Sequence, residues 1–178
     1  MNACHHSRGT DRTAPDDAIR SLADEAAGDL SGLDAAHALS DAVRTAIEYR
    51  PGATGAETTA AEALAIGAGV CQDHAHVLIA AARARGAAAR YVVGYLFVGE
   101  GEEAEFPVAT ETHAWAEIWV DGLGWVGFDA SNGVCPTDRY VRLACGLDAA
   151  DAAPLRGSVT GAPDENLEAS VQVVQSQQ

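Results

Sequence analysis

Three residues far apart in the chain supply the parts of a thiol-based catalyst: Cys71, His113 and Asp129. Cys71 stands in Gly69-Val70-Cys71-Gln72-Asp73, at the expected first turn of a helix that follows a glycine-containing loop. Unsatisfied N–H groups and the positive end of the helix dipole favour an anion there. The thiolate is therefore favoured there. The same N–H groups can donate to the oxyanion that develops on a carbonyl attacked by sulfur. Such a nucleophile also needs a base that later serves as the leaving-group acid, and a third group that orients the imidazole.

Of the six histidines, His5 and His6 fall in the N-terminal stretch, His37 on a helix surface, and His74 and His76 on the Cys71 helix itself. His113 differs, because it opens the strand pattern His113-Ala114-Trp115-Ala116-Glu117-Ile118-Trp119-Val120. Alternation puts His113, Trp115, Glu117 and Trp119 on one face and Ala114, Ala116, Ile118 and Val120 on the other. Asp121-Gly122-Leu123-Gly124 reads as a hairpin turn into Trp125 to Phe128. His113 lies eight residues before Asp121 and Asp129 five after Gly124, so antiparallel pairing returns Asp129 close to His113. Asp129 has a second reading as a turn-capping residue, because Ser131-Asn132-Gly133 follows it. Cys71, Asp73, His74 and His76 form a rival metal set, but only Cys71 and His74 share a helical face, so no metal is assigned.

The elements that must position these groups come in two blocks. Helices are expected from Asp16 to about Gly28, from Asp34 to Arg50 (ending before Pro51-Gly52), over the capping box Thr59–Glu62 and the run to Ile66, and from Cys71 to Arg85, closed by Gly86. Ala75, Leu78, Ile79 and Ala82 give the Cys71 helix an apolar stripe and mark it as central. Strands are expected over 90–98, 112–120 and 124–129, with a last one over 167–174. The acidic stretch around Glu100, Glu102, Glu103 and Glu105 reads as a solvated hairpin tip. Helices first and antiparallel strands second is an α+β arrangement. The division expected is a flexible tail over 1–15 and one catalytic domain over 16–178.

Composition narrows the function. The 178 residues are 48% hydrophobic and 21% charged, which is globular, and the net charge of −15 opposes nucleic acid or an anionic membrane surface as partner. No uncharged apolar run reaches the length of a spanning helix, and the first residues carry no apolar core of an export signal. A cytoplasmic, reducing location is therefore expected, where Cys4, Cys71, Cys135 and Cys145 stay free; they form no CxxC pair. All eleven positive charges are arginines, so the chain has no lysine through which it could crosslink itself.

Four segments together, Gly69-Val70-Cys71-Gln72-Asp73-His74-Ala75-His76, Ala89-Arg90-Tyr91-Val92-Val93-Gly94-Tyr95, His113-Ala114-Trp115-Ala116-Glu117 and Gly124-Trp125-Val126-Gly127-Phe128-Asp129, resemble the transglutaminase-like superfamily of cysteine enzymes. The similarity is to bacterial members described as cysteine proteases, and covers roughly Leu33 to Val174. It implies a papain-like core, with the nucleophile on a central helix and the histidine and acid on an antiparallel sheet. Cys71 then matches the nucleophile, His113 the acid/base and Asp129 the orienting acid. Bacterial relatives usually carry an N-terminal β-rich domain before this core. Against that pattern, the chain is expected to be either a minimal form or a fragment. In animal transglutaminases a tryptophan upstream of the nucleophile helps form the oxyanion hole. No Trp precedes Cys71, and Tyr49 is the nearest aromatic, although it reads first as a core residue. Gln72, Tyr49, Trp115 and Asn132 complete the set as candidate oxyanion or cleft residues, with Trp115 expected to border the cleft beside His113 and Asn132 able to share the orienting role of Asp129. No calcium site and no cofactor is implied.

The function expected is acyl transfer on protein or peptide amides through an acyl-enzyme on Cys71. Hydrolysis is favoured over transamidation because nothing identifies an amine-binding site. The alternative is a non-catalytic binding or scaffold module that keeps the fold.

Overall fold

The computed structural model describes residues 8–97 and 112–154. The strand expected over 167–174 and the acidic tip over 99–105 lie outside the described residues.

Four α-helices precede a four-stranded antiparallel sheet: α1 (Asp17–Ala27), α2 (Gly32–Ala46), α3 (Ala60–Ile66) and α4 (Cys71–Ala84). Two short strands, β1 (Glu48–Tyr49) and β2 (Ala68–Gly69), pair in parallel between them. The sheet comprises β3 (Ala89–Leu96), β4 (His113–Val120), β5 (Gly124–Phe128) and β6 (Tyr140–Gly146), in the order β5-β4-β3-β6. This is the α+β, papain-like architecture expected from the sequence.

The helix α4 organises the molecule. Its ten residues from Asp73 to Ala82 are all buried, not merely one stripe, because α1, α2 and α3 pack on one side and β3 and β4 on the other. The body of the helix is therefore held on both sides, while Cys71 and Gln72 at its start are half-buried. Gly86, at φ +82, closes the helix, with Ala87 N–H donating to the Ala82 carbonyl at 3.0 Å. At the other end, Thr59 and Glu62 form the expected capping box on α3, which sets the approach to β2.

Three boundaries differ from the sequence expectation. The second helix ends at Ala46 instead of Arg50, because Glu48 and Tyr49 turn extended to pair with Ala68 and Gly69. Within the stretch read as a tail, Asp11–Thr13 forms a 3₁₀ turn. Thr13 is buried there and its hydroxyl accepts from Arg83 Nη1 at 2.7 Å, satisfying a guanidinium that also reaches the Ala89 and Leu147 carbonyls. Finally β6 follows the Asp129 loop and closes the β3 edge, with a register shift between Val93 and Gly94. Only glycine fits at that shift, since a Cβ on Gly94 would sit 2.0 Å from the Val141 carbonyl oxygen and 2.8 Å from the Trp115 ring.

The two sheet faces separate as alternation requires. Tyr91, Ala114, Ala116 and Ile118 join the core beneath α4. On the other face Arg90 and Glu117, cross-strand partners, form a buried ion pair with Arg90 stacked 4.2 Å over the Trp125 ring.

Candidate active site

The start of α4 is built by Asp73. Its Oδ2 accepts from the Val70 backbone N–H at 2.8 Å and from the Thr54 hydroxyl at 2.6 Å, which fixes the residue immediately before Cys71. Gly69 is required alongside: a Cβ there would meet the Asp73 carboxylate at 2.6 Å. His74 adds a second anchor, with its two ring nitrogens against the Val70 and Ile47 carbonyls at 2.9 and 3.0 Å. That use of both nitrogens takes His74 out of the rival metal set with Cys71. His76 faces the far side: its Nε2 accepts from Ala149 N–H at 3.1 Å, and burial lowers its pKa to about 4, so it is neutral at physiological pH. Among the described residues no group of three or more His, Cys, Asp or Glu is placed to hold a metal ion.

The hairpin β4–β5 pairs Ala116 with Phe128, and the chain then delivers Asp129 to His113. His113 Nε2–H donates to Asp129 Oδ2 at 2.6 Å. Because an ionised carboxylate only accepts, the proton on Nε2 is fixed. Nδ1 is left to interact with the Cys71 sulfur. Burial opposes the charge on this ring, but the hydrogen bonds to Asp129 and Cys71, and their negative charge, outweigh it and raise the His113 pKa to about 9.

Asp129 both meets His113 and caps the turn that follows it, with these contacts divided largely between its two oxygens. Oδ1 caps the following turn, accepting from the Ser131 hydroxyl at 2.6 Å and the Asn132 N–H at 3.2 Å. Oδ2 accepts from His113, from Asn132 Nδ2 at 2.7 Å and from the Tyr140 hydroxyl at 2.8 Å. Burial alone would push this acid up, but the donors from His113, Ser131 and Asn132, together with the imidazolium charge, hold its pKa far below the ordinary carboxylate range.

The remaining candidates fall in distinct places. Asn132 donates to the acid through Nδ2, so it supports Asp129 instead of sharing its contact with the ring. Trp115 is buried, lies roughly parallel to His113 at 6.4 Å between ring centroids, and receives the edge of Tyr140 at 5.4 Å. Gln72 donates through Nε2 to the Ala56 carbonyl at 3.3 Å, tying the first turn of α4 to the 51–58 loop. Tyr49 is not a core residue: it is 52% exposed on β1, directly opposite Gly69, because pairing with β2 turns its ring outward. That position is two residues from Cys71.

Two contributors had weak sequence signals. Tyr140 lies on β6, whose register depends on the shift at Gly94, and its ring also approaches His113 at 5.8 Å. The second is Tyr91, on β3, whose strand pattern gives it no distinguishing feature. Burial, then the negative charge of Cys71, Asp73 and Asp148, raise its pKa far above the ordinary range, so a protonated phenol faces this cluster.

The family model described as the transglutaminase-like superfamily matches residues 20–130, from α1 through Asp129. The chain belongs to this superfamily. Among curated relatives, an uncharacterized protein of Mycobacterium leprae is 35% identical over 130 residues, covering 73% of this chain and 46% of its own length. An uncharacterized protein of Mycobacterium tuberculosis is 37% identical over 142 residues, covering 76% and 45%. Among solved structures, "a Putative Cysteine Protease from Cytophaga hutchinsonii" superposes with a TM-score of 0.69 at 32% identity, over 85% of this chain and 49% of that one. The periplasmic domain of TgpA from Pseudomonas aeruginosa, at 24% identity and a TM-score of 0.55 over 74% and 49%, shares the fold. The chain thus spans about half the length of the relatives it matches.

Proposed function

We propose that the chain is a thiol-dependent acyl-transfer enzyme that hydrolyses amide bonds in peptides. The observation that carries this reading is the locked His113–Asp129 pair, which leaves the other ring nitrogen for Cys71 at the start of a fully packed helix. In the reaction the Cys71 thiolate attacks the amide carbonyl. The backbone N–H groups of Cys71 and Gln72, at the first turn, are available to the oxyanion, whereas that of Asp73 already donates to the Val70 carbonyl at 3.0 Å. His113 gives its Nδ1 proton to the departing amine, leaving a thioester on Cys71 and a neutral imidazole. Water then enters, His113 takes its proton, hydroxide adds to the thioester, and collapse releases the carboxylic acid and restores the ion pair. Asp129 keeps the ring in register throughout and stays ionised.

Hydrolysis is chosen over transamidation because no feature of the described residues marks an amine-binding site. The location proposed is the cytoplasm; Cys71, Cys135 and Cys145 are free thiols, in keeping with a reducing compartment.

The test is a mixed peptide and amide library incubated with the purified chain, with and without a primary amine, and read by mass spectrometry. Carboxylic acid products in both conditions, lost in Cys71→Ala, are expected. Amine adducts in place of acids would overturn the choice of hydrolysis, and no turnover of any member would favour the scaffold reading.

A further inference from the structure

Beside the acid lies a groove of about 400 Å³ that the catalytic reading does not use. Two of its lining residues, Tyr140 and Asn132, are the ones whose side chains donate to Asp129 Oδ2. The groove is therefore continuous with the support of the acid. Sheet register places it as well. Gly94 is the cross-strand partner of His113, and Leu96, two residues further along β3, pairs with Tyr140. Two residues of strand span about 6.6 Å, within one residue or two of an extended substrate passing His113.

Its chemistry is specific. Leu96, Phe97 and Val134 give apolar walls, and Val134 is 47% exposed although the chain is strongly acidic and has polar residues to spare. Arg139 stands at the same groove, on an exposed position. Its backbone carbonyl accepts from Phe97 N–H at 2.8 Å, which fixes it against the apolar wall. Its guanidinium, like those of Arg8, Arg20 and Arg44, has no ion-pair partner among the described residues, and of these four only Arg139 lines the groove. In a protein of net charge −15, an arginine left without a carboxylate beside an apolar groove is a ready site for an anionic group of a ligand.

We propose that this groove is the specificity subsite of the enzyme and takes an apolar substrate side chain followed by an acidic side chain, the first between Leu96, Phe97 and Val134, the second on Arg139. The substrate class is then a peptide with an apolar-acidic pair near the scissile amide. This deepens the acyl-transfer reading and rests on it for the word substrate, but binding to the groove does not depend on turnover.

The experiment uses the full chain carrying Cys71→Ala, so that peptides bind without reacting. Fluorescent peptides, acetylated and amidated so that no terminal charge intervenes, carry Phe-Glu, Phe-Gln, Phe-Lys or Ser-Glu at one position, and affinity is read by polarisation. Phe-Glu should bind about tenfold more tightly than Ser-Glu, as burial of an aromatic ring requires, and about threefold more tightly than Phe-Gln, as one exposed charge pair allows. Phe-Lys should be weakest of the Phe series. Adding Arg139→Gln, a change on an exposed side chain, should remove the preference for Glu over Gln and keep that for Phe over Ser. Adding Val134→Ser, which removes apolar wall without adding a charge beside Arg139, should do the reverse. Equal affinity for all four peptides, no measurable binding, or preferences unchanged by both substitutions would overturn the proposal. The same peptides offered to the parent chain separate the two claims. Discrimination by the Cys71→Ala chain without turnover by the parent refutes the catalytic reading alone. Turnover without discrimination refutes the subsite alone.

Discussion

Replacing His113 by Gln removes a titrating group while keeping a donor for Asp129, and the change in stability it causes should depend on pH in a defined direction. The His113 pKa is raised from 6.5 to about 9 in the folded chain. A raised pKa means that the folded state holds its proton more tightly than the unfolded chain does. The contribution is then fully present below pH 6.5 and lost as pH rises through about 9. A rise of that size corresponds to about 3 kcal/mol, and water reaching a ring that is 13% exposed reduces this to on the order of 2 kcal/mol. Asp129 sets the acid side: its depressed pKa contributes stability above the usual carboxylate range that is lost as pH falls below it. Urea unfolding of the parent and His113→Gln at pH 5.5, 6.5, 7.5, 8.5 and 9.5 gives the difference directly, with other titrations cancelling. The parent's advantage should be flat from pH 5.5 to 6.5 and fall by on the order of 2 kcal/mol by pH 9.5, equivalent to about 4–8 °C in Tm for a chain of this size. In a Cys71→Ala background the fall should be smaller and be complete at lower pH, since the sulfur no longer supports the imidazolium. A difference that stays level across the series would refute the ionic pairing of His113 with Asp129 and Cys71.

Other positions give sharper structural tests. Tyr140→Phe keeps the ring against Trp115 and removes one of three donors to Asp129 Oδ2; it should cost about 1.5 kcal/mol and lower kcat more than it changes KM, read by unfolding and steady-state kinetics. Gly69→Ala drives a Cβ into the Asp73 carboxylate, leaves Val70 N–H and Thr54 without their acceptor, and should cost about 3 kcal/mol by thermal unfolding together with most of the activity. Gly94→Ala meets the Val141 carbonyl and should separate β6 from β3, seen as loss of amide protection in hydrogen exchange along Tyr140–Gly146; unchanged protection would count against the register at the shift.

The meeting of His113 and Asp129 is legible because a strand has period two and a short turn sets the pairing; the turn is one residue shorter than its sequence suggests, since Gly124 already pairs with Val120, and the hairpin still returns Asp129 to His113. The burial of α4 is legible in kind from Ala75, Leu78, Ile79 and Ala82. Its extent is not, because His74 and His76 find carbonyl and amide partners only once Ile47 and Ala149 are brought against them. Tyr140 escapes a sequence reading for a different reason. Its strand is an edge among the described residues with Val141, Arg142 and Leu143 all exposed, so no alternation marks it, and its register passes through an irregular pairing at Gly94. Tyr49 misleads because an aromatic ring between Ile47 and Pro51 looks like core, whereas two residues of parallel pairing with β2 turn it to solvent. Local patterns carry the elements and the short-range hairpin; contacts set by long-range register supply the rest of the site.

The central claim is that His113 acts on the sulfur of Cys71, and the rate of iodoacetamide alkylation against pH, with peptide mapping to assign each thiol, tests it most directly. In the parent, Cys71 should be modified much faster than Cys135 and Cys145 at pH 6–7, because the imidazolium, with its pKa raised to about 9, holds a positive charge beside it throughout that range. In His113→Ala the Cys71 rate at pH 6.5 should fall at least tenfold and its profile move to higher pH. Superimposable profiles for the two proteins would contradict the account.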